Sequence, residues 1–149
     1  MHQNLKSLKL KYNDFTVAFT GHSLGGALAE HAALDCVKSG LISGTEADEV
    51  SFAGPSPVYT FGEPRIGNWY LSQEVEKVLT NYFRITHKRD IVPHIPPCGP
   101  TLTSGCYIPE ASSINKIFAG YHARTEVFYP GSGSTKVICA EGESSKCSN

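Results

Sequence analysis

FTVAFTGHSLGGALAEHAALDCVK, residues 15–38, is the stretch that decides the fold. Its opening, FTVAFTG (15–21), is a β-rich apolar run ending in glycine, the pattern of a buried strand. Residues 24–38 are rich in Ala and Leu and stop before Ser39-Gly40, as a helix does. Between strand and helix stands Gly21-His22-Ser23-Leu24-Gly25, a G-x-S-x-G motif followed by Gly26. A serine on such a tight turn has its hydroxyl pushed clear of the backbone. Glycines two before and two after it leave room for the turn and for close helix packing. The helix N-terminus favours negative charge, and the Leu24 N–H is a natural oxyanion donor. The pattern predicts a nucleophilic Ser23; a purely structural glycine turn is the weaker reading of the same residues.

Outward from this stretch, Leu5, Leu8 and Tyr12 share one helical face over residues 4–12. ISGTEADE (42–49) is a polar loop, VYTF (58–61) a strand, and residues 67–80 a helix. NYFRITH (81–87) is a second buried-strand candidate. Residues 88–119 read as loop with one helical turn. RTEVFYP and TKVICA then form two strands joined by Gly131-Ser132-Gly133, a hairpin signal. Strand–helix–strand–helix–strand at this spacing predicts an α/β fold: a mostly parallel sheet flanked by helices, with a C-terminal β-hairpin.

The 149 residues suit one domain, and 40% hydrophobic with 18% charged residues is globular composition. The net charge is −1, and the densest basic cluster is only Lys6, Lys9 and Lys11, which excludes charge-driven nucleic-acid binding. No apolar run approaches a membrane span, and MHQNLKSLKLKYNDF (1–15) has no signal-peptide core.

A nucleophilic serine needs a base, and the base an orienting acid, in the chain order Ser, acid, His. Of the aspartates beyond Ser23, Asp35 lies on the nucleophile helix and Asp48 in the polar loop. Asp90 directly follows the NYFRITH strand, where such sheets present functional side chains. His2 precedes Ser23, His22 sits within the turn, His31 is inside the helix and His87 ends a strand. His122, on a loop before a strand, is therefore the favoured base, with Asp90–His94 as the rival loop pair.

Five cysteines include two pairs separated by eight residues, Cys98 with Cys106 and Cys139 with Cys147. Each pair closes a short loop with little to bury, so the spacing predicts two disulfides and an oxidising compartment. Cys36, on the nucleophile helix, is expected to remain a thiol. Zinc is a weaker reading, because no C-x-x-C occurs and His94 is the only imidazole near Cys98.

TGHSLGGALA (20–29), YTFGEPRIGN (59–68), RITHKRDIVPHIPP (84–97) and GYHARTEVFY (120–129) resemble, in that order, the class 3 (fungal-type) lipases of the α/β-hydrolase fold. The ending VICAEGESSKCSN resembles the tail of that family's secreted fungal members and supports Cys139–Cys147. The resemblance implies a carboxylic ester hydrolase acting on acylglycerols through an acyl-enzyme, with Ser23 as nucleophile, Asp90 as acid and His122 as base. It implies no metal or cofactor, secretion of the full-length protein, and contact with a lipid interface. Feruloyl esterases form a branch of the family, and a non-catalytic fragment is the alternative from another class. Arg65 and Asn68 match the family's structural block. Only fourteen residues precede FTVAFTG, so residues 1–149 resemble a partial domain, its C-terminal half to two-thirds. The expectation is that the second oxyanion donor and the lid lie outside it.

Overall fold

The computed structural model describes residues 2–12, 14–42, 55–98 and 113–148. In chain order they form α1 (His2–Lys11), β1 (Phe19–His22), α2 (Leu24–Lys38), β2 (Val58–Phe61), α3 (Trp69–Val78), β3 (Tyr82–His87), α4 (Ser113–Phe118), β4 (Glu126–Tyr129) and β5 (Val137–Cys139). One 3-10 turn, Val92–His94, interrupts the loop after β3. The strands make one sheet in the order β1-β2-β3-β4-β5. β1 to β4 run parallel, and β5 returns antiparallel to β4 as the expected hairpin.

The register explains where chemistry can sit. His22 pairs with Phe61, and Phe61 with Ile85, so β1, β2 and β3 end at nearly the same level. The loops that leave them, beginning at Ser23, Gly62 and Lys88, therefore share one edge of the sheet. Ligands bind at this carboxyl edge in parallel sheets.

β1 is shorter than the run FTVAFTG predicts and shifted to include His22. Its only partner among the described residues is β2, whose ladder begins at Val58 after Pro57. The β1 ladder opens with the Phe19 N–H, which donates to the Pro57 carbonyl at 2.9 Å. α3 begins two residues later than expected because Asn68 caps it, accepting the Leu71 N–H at 3.0 Å.

The core lies on one face of the sheet. Ala33 and Leu34 of α2 and Val75 and Leu79 with α3 pack on Val58, Tyr82 and Ala123. Cys36, Leu41 and Ile42 form a second buried group, against which Leu5 of α1 and Val17 pack. On the opposite face of β2, Tyr59 and Phe61 are exposed. Among the described residues no helix is long and apolar enough to cross a membrane.

The cysteines follow the expected scheme where they are described. Cys139 and Cys147 are bridged, with Cα atoms 6.3 Å apart. Cys98 is disulfide-bonded, while its expected partner Cys106 lies outside the described residues. Cys36 is a buried free thiol.

Candidate active site

Ser23 has φ 54° and ψ −128°, a conformation that L residues rarely adopt. Two contacts hold it. Its N–H donates to the Phe61 carbonyl at 2.9 Å, continuing the β1–β2 ladder, and its own carbonyl accepts the Gly26 N–H at 2.9 Å, opening α2. Glycine is required at Gly21, tightly favoured at Gly26, and, contrary to the sequence expectation, not demanded by space at Gly25. A Cβ on Gly21 would overlap the Gly25 carbonyl, and one on Gly26 would press on Thr60 and Glu63 at 3.2 and 3.3 Å. The Ser23 hydroxyl makes no cap bond to its helix. Leu24 follows as the first residue of α2, so its N–H has no intrahelical acceptor. Strained serine, available hydroxyl and unpaired N–H donor are the parts of a nucleophile elbow.

Asp90 stands across the same edge. One carboxylate oxygen, Oδ1, accepts the Val92 N–H at 3.0 Å and fixes the side chain. The other, Oδ2, faces Gly62, where an added Cβ would lie 2.6 Å from it and 3.7 Å from His22 Nε2. Gly62 has φ +56° and no side chain, so the end of β2 leaves the space that the carboxylate fills.

His122 does not join them. Its ring is buried, and Nε2 donates to the Pro93 carbonyl at 2.8 Å. Burial, followed by the nearby Arg84 and Arg65 cations, holds the imidazole well below its ordinary pKa, so it is neutral. A neutral ring that donates from Nε2 has no free lone pair there to accept a serine proton. Its surroundings are segments that follow β3 and β2: the ring meets Pro93, three residues after Asp90, and the preceding Tyr121 bridges Gly67. Among the described residues His122 bonds neither Ser23 nor Asp90, so the structure does not show the three sequence-predicted residues in one contact. His94, the rival, makes a backbone turn to Ile91 and no side-chain bond to Asp90. Asp35 pairs with His2 at 2.6 Å on the surface, and Asp48 lies outside the described residues.

Arg65 and Asn68 are scaffold, as expected. Arg65 grips Glu143 through Nε at 2.8 Å and Nη2 at 3.0 Å, with both side chains almost fully buried. Glu143 also accepts the His122 N–H at 3.0 Å, tying the C-terminal segment beneath the sheet. Asn68 adds a bond from its amide to the Ile117 carbonyl at 3.2 Å.

A group that sequence reading missed lies under α2. Tyr82 Oη is 2.6 Å from Glu30 Oε2 and 2.6 Å from Glu63 Oε2, and Thr60 donates to Glu63 Oε2 at 2.6 Å. Glu63 Oε1 is buried with no partner. The signal was present: Glu30 falls among Gly26, Ala27, Ala33 and Leu34 on the buried side of α2, where an acid demands a partner.

The family model "Lipase (class 3)" matches residues 1–99, a span that contains Ser23 and Asp90 and stops short of His122. Lipase ZK262.3 of Caenorhabditis elegans is 35% identical over 139 residues, covering 87% of this chain and 36% of that protein. A lipase of Rhizomucor miehei is 38% identical over 87 residues, covering 58% of this chain and 22% of its own length. Among solved structures, a lipase from Rhizopus microsporus var. chinensis superposes with a TM-score of 0.71 at 29% identity, covering 98% of this chain and 42% of the other. A triacylglycerol lipase described as having a serine protease triad as its catalytic centre superposes equally well, TM-score 0.71, 29% identity, over 99% of this chain and 47% of its own. The chain thus spans less than half the length of these relatives. With the elbow, the parallel sheet and the family match in agreement, the chain belongs to the class 3 lipase family.

Proposed function

We propose that this chain carries the nucleophile and the acid of a serine ester hydrolase acting on acylglycerols. The observation that carries the reading is the strained Ser23 at the carboxyl edge with the free Oδ2 of Asp90 on the same edge. Ser23 Oγ attacks the ester carbonyl, and the Leu24 N–H, at the positive end of α2, receives the developing oxyanion. The alcohol leaves, an acyl-enzyme forms on Ser23, and water releases the acid. Asp90 Oδ2 is free to accept an imidazole N–H and to hold the tautomer of a base. His122, the sequence-predicted base, donates from Nε2 to Pro93 as seated, so serving Ser23 would require it to leave that contact. The disulfides support an oxidising compartment, as does one relative, 37% identical over 83 residues, which is a secreted mono- and diacylglycerol lipase of Fusarium solani.

The test is covalent labelling by a fluorophosphonate together with hydrolysis of short- and long-chain p-nitrophenyl esters. Labelling is expected to require Ser23 and to vanish in Ser23→Ala. His122→Gln is expected to keep it. Labelling that survives Ser23→Ala would remove the nucleophile. A folded His122→Gln protein that no longer reacts would restore His122 as the base.

A further inference from the structure

Glu30, Glu63, Tyr82 and Thr60 form a closed polar group between α2 and the sheet, and its hydrogens can be counted. Three oxygen pairs stand at 2.6 Å: Glu30–Tyr82, Tyr82–Glu63 and Thr60–Glu63. With both carboxyls ionised only two hydroxyl protons are available, one from Tyr82 and one from Thr60. One of the short contacts would then set two acceptors against each other. One further proton resolves it. A protonated Glu30 donates to Tyr82 Oη, Tyr82 donates to Glu63 Oε2, and Thr60 donates to the same oxygen.

The local charges require the same proton. Arg84 is the cation that acts on both carboxyls; its Nε and Nη2 are engaged by the Ala123 and Gly142 carbonyls and by Glu126 at 3.4 Å, and its Nη1 is buried without a hydrogen-bond partner. Two ionised carboxylates at Glu30 and Glu63, with Glu126, would set three buried negative charges around this one cation, far costlier than two. Burial, and then the charge of Glu63, raise the Glu30 carboxyl to about 8; burial raises Glu63 as well. Tyr82 is pushed still further up, so the phenol stays protonated.

The position of the group gives the proton a consequence. Glu30 is on the helix that begins at Ser23. Glu63 follows Gly62, the residue whose bare α-carbon makes room for Asp90, and its Cβ packs on Gly26 in the first turn of α2. We propose that Glu30 and Glu63 share one proton at neutral pH and act as a positioning pair, clamping the nucleophile helix to the loop that seats Asp90. Loss of the proton puts like charges on the two sides of that contact and loosens it. The clamp is a property of the folded chain; its bearing on catalysis rests on Ser23 and Asp90 being the reacting pair.

The test reads the proton and the clamp separately from esterase activity. Infrared difference spectra of the wild-type chain should show the carbonyl stretch of an un-ionised carboxylic acid at pH 7. That band should titrate away near pH 8 and be missing in Glu30→Gln. Over the same range, amide hydrogen exchange should lose about tenfold in protection over residues 24–30 and 62–63, equivalent to one pKa unit of coupling. In Glu30→Gln, whose amide keeps a donor without a titrating group, protection should not change with pH. If that variant does not fold, Tyr82→Phe removes the bridging hydroxyl and should move the band's midpoint. Absence of the band in the wild-type chain at pH 7 overturns the shared proton. A band that titrates with no change in protection overturns the clamp. Neither result touches the Ser23 assignment, which the fluorophosphonate decides.

Discussion

Glu143→Ala should be among the most damaging single substitutions in this chain, although it lies 120 residues beyond Ser23. The Glu143 carboxylate accepts from Arg65 Nε, from Arg65 Nη2 and from the His122 N–H, at 2.8, 3.0 and 3.0 Å. The Arg65 and Glu143 side chains are 2% and 1% exposed, so neither charge is screened by water. Removing the carboxylate leaves a buried guanidinium without its counter-charge, which costs about 3–5 kcal/mol. It also orphans the His122 amide, for about 1–3 kcal/mol more. Together these approach the total stability of an ordinary domain, roughly 5–15 kcal/mol. Urea denaturation followed by far-UV circular dichroism measures the loss. The companion variant carries Arg65→Met with Glu143→Leu and removes both charges, so it should recover at least half of the deficit. A Glu143→Ala midpoint equivalent to less than about 1 kcal/mol would refute the reasoning, because that is the worth of a solvent-screened pair.

Gly62→Ala should cost only about 1–2 kcal/mol of stability, for an alanine at positive φ, yet push away the Asp90 carboxylate, whose Oδ2 would stand 2.6 Å from the new Cβ, and suppress ester turnover while far-UV circular dichroism still finds the chain folded. Opening the Cys139–Cys147 bridge by Cys147→Ser should lower stability by about 2–3 kcal/mol without altering the sheet register, read by thermal melts in parallel with far-UV spectra. Glu30→Gln should change the pH dependence of stability. The Glu30 carboxyl is raised in the fold from 4.5 to about 8, so its contribution is complete below pH 4.5 and lost as pH rises to 8. The variant should match the wild type at low pH and exceed it by up to about 5 kcal/mol above pH 8; parallel wild-type and variant profiles would refute the raised carboxyl.

What the sequence disclosed follows the range of the interactions involved. α2 and β2 coincide with the predicted bounds because apolar periodicity and the flanking Gly, Ser and Pro residues are local signals. Ser23 and Asp90 stood out because Ser23 follows β1 directly and Asp90 comes three residues after β3, and parallel strands in register bring their ends together. His122 was chosen by chain order, loop position and family resemblance, none of which reports the Pro93 carbonyl that its ring meets. The Glu30–Glu63–Tyr82 group was hidden for a different reason. Its members are separated by 33 and 19 residues, and nothing in local composition reports a hydrogen bond across such distances. Arg65 was recognisable as scaffold, but its partner Glu143 sits in a polar loop between two cysteines, where a carboxylate looks merely solvated.

The strain at Ser23 must be balanced by contacts, because a residue held outside the common backbone regions costs about 1–3 kcal/mol. On one side the balance is visible. β1 has a four-residue ladder to β2, the Ser23 N–H extends it to Phe61, and Gly26 brings α2 within van der Waals contact of Thr60 and Glu63. On the other side of β1 no strand is paired among the described residues, and Phe15, Leu24 and Leu28 are each more than 60% exposed. Among the described residues the elbow is therefore held from the α2–β2 side. A shared proton under α2 and an empty α-carbon at Gly62 both act on that side, so their effects should fall on the geometry of Ser23 before they fall on the sheet as a whole.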